Sequence, residues 1–171
     1  MKRYDQILKG GDLRSIGKAN RVVEEVNDQQ TFDELFKVLY NTDRKVVMRG
    51  ADAIEKITIK NPGYLQQHKD NILTLCESAK DIELKWHLAL LGSRLELTKN
   101  EVRRIWQILK NWATDKKESK IVRVNSLQGL HNILSSNEEL MDDFNRILRN
   151  VEGENIPSIN ARLRKLRHAP R

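Results

Sequence analysis

The sequence predicts an all-α fold, a superhelix of about four to five stacked helical hairpins. Three observations predict it. Apolar residues recur at helical spacing along nearly all of the 171 residues, and strand-like alternation is scarce. Three prolines and eight glycines give too little turn punctuation for a many-stranded β fold. The helical pattern also returns at a fixed interval, the signature of a repeat architecture.

The elements follow in order. Helices are expected at about 12–27, 32–41, 44–60, 62–79, 82–97, 99–114, 118–135, 137–151 and 156–167. Asp12, Asp43 and Asp81 each precede an apolar periodic run, and a carboxylate there can accept from the first free amides. "GGDLR" at Gly10–Gly11 reads as a turn into the helix that Asp12 caps, not as a phosphate loop. Thr31 with Glu34, Thr98 with Glu101, and Ser136 with Glu139 have capping-box spacing: a hydroxyl accepts from the N3 amide and a carboxylate reaches back to the cap. Asn61-Pro62 fits a cap followed by proline at the first helical position, where the missing N–H costs nothing. The short links imply antiparallel neighbours.

The repeat is carried by three segments: "VVMRGADAIEKI" from Val46, "LKWHLALLGSRL" from Leu84 and "VRVNSLQGLHNI" from Val122. Their first and last residues fall 38 positions apart. Within the frame, Gly50, Leu88 and Ser126 coincide, as do Ala51, Ala89 and Leu127, and Ile54, Gly92 and Leu130. These are small or apolar residues at one helical phase, where two helices can pack closely. Each segment follows a first helix. Clear copies span about 31–60, 62–97 and 99–135. A weaker copy at 137–168 carries Ile159, Leu163 and Leu166, and a partial one at 12–27 carries Leu13, Ile16, Asn20 and Val23. One hairpin cannot bury its apolar face, so stacked hairpins share a continuous core and the whole chain, 1–171, reads as one repeat domain.

The pattern "DIELKWHLALLGSRL" and "DRKVVMRGADAIEKI" resembles HEAT repeats: an acidic residue, an apolar one, then a basic or aromatic one lead into a small-residue helix. The likeness covers about residues 12–168. The third copy departs from it, with Asn125, Gln128 and His131 at positions where alanine or an apolar residue is usual. The resemblance implies a right-handed superhelix whose second helices line an inner surface, and a non-enzymatic scaffold that binds a protein partner there. It implies no cofactor.

At about 100° per residue, the arc of each second helix opposite its buried side can be read off. It holds Met48, Arg49, Asp52, Glu55 and Lys56 in one copy, Trp86, His87, Leu90, Ser93 and Arg94 in the next, and Val124, Asn125, Gln128, His131 and Asn132 in the third. Rows then form across copies: Met48–Trp86–Val124, Arg49–His87–Asn125 and Lys56–Arg94–Asn132. The expected partner-binding set is Arg49, Asp52, Lys56, Trp86, His87, Leu90, Arg94, Asn125 and Gln128. Trp86 either fills the wedge between neighbouring helices or anchors a partner, since Trp and Arg are favoured at binding hot spots.

Composition bounds the rest. With 39% hydrophobic and 32% charged residues the chain is too apolar for disorder, and 5% aromatics leave the core to Leu, Ile, Val and Ala. The net charge of +7 is uneven: residues to Leu97 carry 16 bases and 15 acids, those from Thr98 carry 15 and 9. A basic half keeps a nucleic-acid reading open. Its residues are Arg103, Arg104, Lys116, Lys117, Lys120, Arg123, Arg162, Arg164, Lys165 and Arg167, with Lys110 and Arg171 beside them. Trp106, Trp112, Ile105, Ile108 and Leu109 in that segment point to the core. The HEAT likeness also includes alkylpurine DNA glycosylases, and Trp86 with Asp52 is the pair that chemistry would draw on.

Other chemistry lacks its signals. The lone Cys76 forms no internal disulfide and reads as a buried, inert thiol. His68, His87, His131 and His168 lie far apart in sequence, so no metal site is expected. Glu24–Glu25, Glu138–Glu139 and Asp142–Asp143 suit helix first turns or solvated faces. No apolar run approaches membrane-spanning length and the start lacks a signal-peptide core, which points to a cytoplasmic protein without membrane attachment.

Overall fold

Capping chemistry sets where the helices begin. In the computed structural model, which describes residues 2–9 and 17–168, Thr98 and Glu101 form the expected capping box, and Asp43 accepts from the Lys45 amide. Asp81 stands at the N-cap of its helix. Two expected boxes move. Asp28 accepts from the Thr31 amide at 2.7 Å while the Thr31 hydroxyl faces the Asp28 amide, so Thr31 is the third residue of its helix rather than its cap. Carboxylates outrank hydroxyls as acceptors here because the charge also meets the helix dipole. Ser136 and Glu139 make no box: Asn137 precedes a short 3-10 turn that leads into the helix. The expectations on Gly10, Gly11, Asp12, Leu13, Ile16 and Arg171 fall outside the described residues.

The described residues form ten α-helices and no strand, and they group into two compact units. The first holds α1 (Lys2–Leu8), α2 (Gly17–Glu25), α3 (Gln29–Phe36), which continues as the 3-10 turn Lys37–Tyr40, and α4 (Arg44–Lys60), followed by the 3-10 helix Pro62–His68. Helix α4 packs on α1, α2 and α3. Helix α1 was not foreseen. It has no cap signal and few apolar residues, yet Tyr4 and Leu8 are buried and its last carbonyl takes a bond from α4. Stacking rings join α3 to the 3-10 helix: His68 lies 3.9 Å from Phe36 and its Nε2 meets Asp33 at 2.7 Å.

The second unit holds α5 (Lys69–Ser78), α6 (Ile82–Gly92), α7 (Lys99–Thr114), α8 (Lys120–Leu134), α9 (Met141–Glu152) and α10 (Pro157–His168). First helices α5, α7 and α9 pack in sequence, and second helices α6, α8 and α10 pack in sequence beside them. Leu84, Leu88, Leu91 and Leu95 are buried, as are Leu127, Leu130 and Ile105. A Cβ built on Gly129 would lie 2.5 Å from the Ala89 carbonyl oxygen, so α8 approaches α6 at backbone contact. Asn132 also bonds Ser93, 39 residues earlier. Those two contacts fix α6 and α8 as parallel neighbours at nearly the predicted interval.

Polar staples tie successive hairpins of this unit. Lys85 in α6 pairs with Glu118 in the α7–α8 turn at 2.5 Å. Thirty-eight residues on, Arg123 in α8 repeats the contact with Glu154 in the α9–α10 turn, bidentate at 2.9 and 2.7 Å, and also donates to the Ala113 carbonyl. Asn155, next to that glutamate, has φ 53, a left-handed conformation that asparagine tolerates. On the first-helix side, Trp106 and Lys110 of α7 both donate to Asp143 of α9. Lys69 pairs with Glu101, and Arg104 with Glu77.

Candidate functional site

Geometry divides the nine expected partner-binding residues between the two units. In the first, Arg49 is fully buried and donates to the Leu8 carbonyl at 2.6 Å. This corrects its assignment to an open surface: the arc of α4 that carries it faces α1, an element the repeat frame did not contain. Asp52 and Lys56 pair at 2.7 Å, and Lys56 also donates to Asn20 of α2. All three thus serve packing of the first unit or lie at its surface already paired.

The second unit assembles the remainder on the face made by α6, α8 and α10. His87 is only 6% exposed, so it too is corrected from surface to interior; its ring meets the edge of Trp86 at 5.4 Å. Trp86, Leu90, Val124, Asn125 and Gln128 are partly exposed. Ile82 and Ile121, which the sequence did not single out, are 41% and 44% exposed, high for isoleucine in a packed hairpin. The 39-residue offset of the Asn132–Ser93 bond sets Ile121 beside Ile82, and Val124 near Trp86. One end of this face is therefore an apolar strip.

The other end is polar and concave. A cleft of about 920 Å³ is lined by Arg94 and Ser93 from the end of α6, Gln128, His131, Asn132 and Ser135 from α8, and residues of α9 and α10. Its floor is apolar: Phe144, Leu148 and Leu166 are buried there, with Met141 partly exposed. Arg94 and Gln128 of the expected set meet in this cleft. Arg162 of α10 donates to Gln128 at 2.6 Å, Gln128 donates to Asn132 at 2.9 Å, and Asn132 donates to Ser93 at 3.1 Å. The Ser93 hydroxyl ends the run on the Leu90 carbonyl. Gln128 and His131, which depart from the repeat pattern, line this cleft, and Asn125 is partly exposed on the same helix.

Of the ten cations that suggested nucleic acid, Arg123 is the clear correction. It is 1% exposed and holds Glu154, whose carboxyl that guanidinium keeps below its usual range. Arg104 is bidentate on Glu77, and Arg167 on Glu152. Arg103, Lys116, Lys117, Lys120, Arg164 and Lys165 are exposed, on α7, the α7–α8 segment and α10. Cys76 is buried, and burial pushes its thiol up to about 12, which removes it as a nucleophile. Trp106, Ile105 and Leu109 are core residues as expected, while Ile108 and Trp112 are partly exposed, the latter under the Lys85 ammonium at 5.6 Å. Among the described residues no group of three His, Cys, Asp or Glu side chains is placed to hold a metal ion, and no helix is long and apolar enough to cross a membrane.

A two-helix period with parallel second helices in backbone contact decides the family, and the HEAT repeat domain family matches residues 11–169. The chain is a HEAT repeat protein. No curated protein and no solved structure matches it. HEAT repeats are helical modules that typically mediate protein interactions, and the family is generally non-enzymatic. In this HEAT chain the second helices of the C-terminal unit are α6, α8 and α10.

Proposed function

We propose that the protein is a non-enzymatic scaffold that binds a protein partner through the second-helix face of its C-terminal unit. The observation that carries this is the apolar strip Ile82, Trp86, Leu90, Ile121 and Val124, left open on two helices whose opposite sides are fully packed. Exposed isoleucines beside a tryptophan are costly to leave in water and suit a buried interface core.

The test is photo-crosslinking from a benzophenone side chain at position 121 in cells of the source organism. Discrete protein adducts are expected, and Trp86→Ala with Ile82→Glu should abolish them without unfolding the chain. Adducts to nucleic acid alone, or none, would sink the reading.

A nucleic-acid reading keeps the exposed cations as its support, but three of its ten residues are committed to carboxylates within the fold.

A further inference from the structure

Arg162 differs from Lys85, Arg123 and Arg167, the cations on this face that are held by carboxylates. It is partly buried on α10, its side-chain bond goes to a neutral amide, and it has no carboxylate partner among the described residues. Burial alone acts on it, lowering the affinity of its guanidinium for the proton. A partly desolvated guanidinium is normally matched by an anion, because burying a charge without one is unfavourable. Neighbouring Arg123 and Arg167 have such matches in Glu154 and Glu152.

The amide run explains how Arg162 is held. An arginine only donates, so Gln128 must present its oxygen to it. That turns the Gln128 amide nitrogen to Asn132, and the Asn132 nitrogen to Ser93. The orientation of each amide is thus set by the cation at the head of the run. One N–H of Arg162 is spent in this way, and the others remain for a ligand beside the cleft that Gln128 and Asn132 line. The adjoining floor of Phe144, Leu148 and Leu166 is apolar.

We infer that Arg162 is an anion subsite for an acidic segment of a protein partner, a carboxylate landing on its guanidinium and a bulky apolar side chain entering the cleft beside it. The inference rests on the protein-binding reading above and names the chemistry of the segment. A carboxylate forks onto a guanidinium in plane, and the cleft of about 920 Å³ beside it has room for an apolar side chain. The cleft's own lining carries Arg94 and Arg167, the latter on Glu152, and one carboxylate, Glu138.

The probe is a blocked, fluorescein-labelled peptide, Glu-Glu-Leu-Phe-Glu-Glu, titrated by fluorescence polarisation against the full chain. Its lysine counterpart, inorganic phosphate and a short DNA duplex serve as comparisons. The acidic peptide is expected to bind, the lysine peptide not, and Arg162→Gln to weaken binding about tenfold or more, as loss of a charge-assisted bond should. Arg162→Lys should recover part of it, since the charge returns without the fork. Both variants are to be compared with the parent by thermal melting, and unchanged melting assigns the loss to the subsite. Equal binding of the peptide to parent and Arg162→Gln overturns the inference, as does no binding at millimolar peptide. Displacement of the peptide by phosphate or duplex with equal sensitivity to Arg162 overturns it too, by assigning the subsite to phosphate. Crosslinks from position 121 are read separately, so their survival in Arg162→Gln shows the broader reading intact when this one fails.

Discussion

Arg123 and Glu154 meet almost out of reach of water, and the arginine also satisfies the last-turn carbonyl of Ala113. Truncating Arg123 leaves a carboxylate and a carbonyl without their donor. Breaking a buried pair from one side costs about 3–5 kcal/mol. We expect Arg123→Met to lose stability on that scale in urea denaturation, and Glu154→Gln to lose stability as well, because it leaves the buried Arg123 guanidinium facing a neutral amide. Glu101 gives a pH prediction. Its bond from Lys69, then those from Thr98, bring its carboxyl down to about 2 from an ordinary 4.5. A lowered carboxyl stabilises the fold fully above the ordinary value and loses that contribution as pH falls from 4.5 toward about 2. Thermal melts across that window should show the parent declining more steeply than Glu101→Gln, the two converging near the lower end. A pair of parallel curves would refute the assignment. At this scale the sequence was only half legible. Thr98 and Glu101 could be paired from spacing alone, but Arg49, His87 and Arg123 could not be told from surface residues, because burial of a long polar side chain depends on what lies opposite it.

Helices α6 and α8 depend on one small residue. Gly129 lets the α8 backbone ride on the Ala89 carbonyl. Gly129→Ala must push the two helices apart, and overpacking of this kind costs about 1–3 kcal/mol. Gly153, where a Cβ would meet nothing closer than 3.6 Å, is the control: Gly153→Ala should be near neutral in the same denaturation assay. Thr98→Ala should cost about 1 kcal/mol by removing the cap of α7. Helix positions were largely readable, since 3.6-residue periodicity and cap chemistry are local. Helix α4 spans the predicted 44–60 and α7 the predicted 99–114. Helix α6 stops at Gly92 instead of running to 97, and α1 was missed. Helix α1 is decided by its neighbours: Tyr4 and Leu8 are buried by α2 and α4, not by any pattern of their own.

For the whole molecule, charge is the quantity to test. The C-terminal half is basic by composition, yet Arg104, Lys110, Arg123 and Arg167 of that half are spent internally on Glu77, Asp143, Glu154 and Glu152. Binding to generic duplex DNA at low salt should therefore be weak, with a shallow dependence on salt; micromolar binding lost steeply with added salt would return the nucleic-acid reading. By itself the sequence determined the class of fold, the repeat and its interval, and which side of each second helix is apolar. Those follow from local periodicity and from the same residues recurring at one spacing. Only the tertiary structure decided that Arg123 repeats the staple of Lys85, that Arg49 faces a terminal helix, and that Arg162, Gln128, Asn132 and Ser93 form one run across three helices. Such pairings join residues more than thirty positions apart. They depend on how far one hairpin is displaced against the next, which no local pattern records.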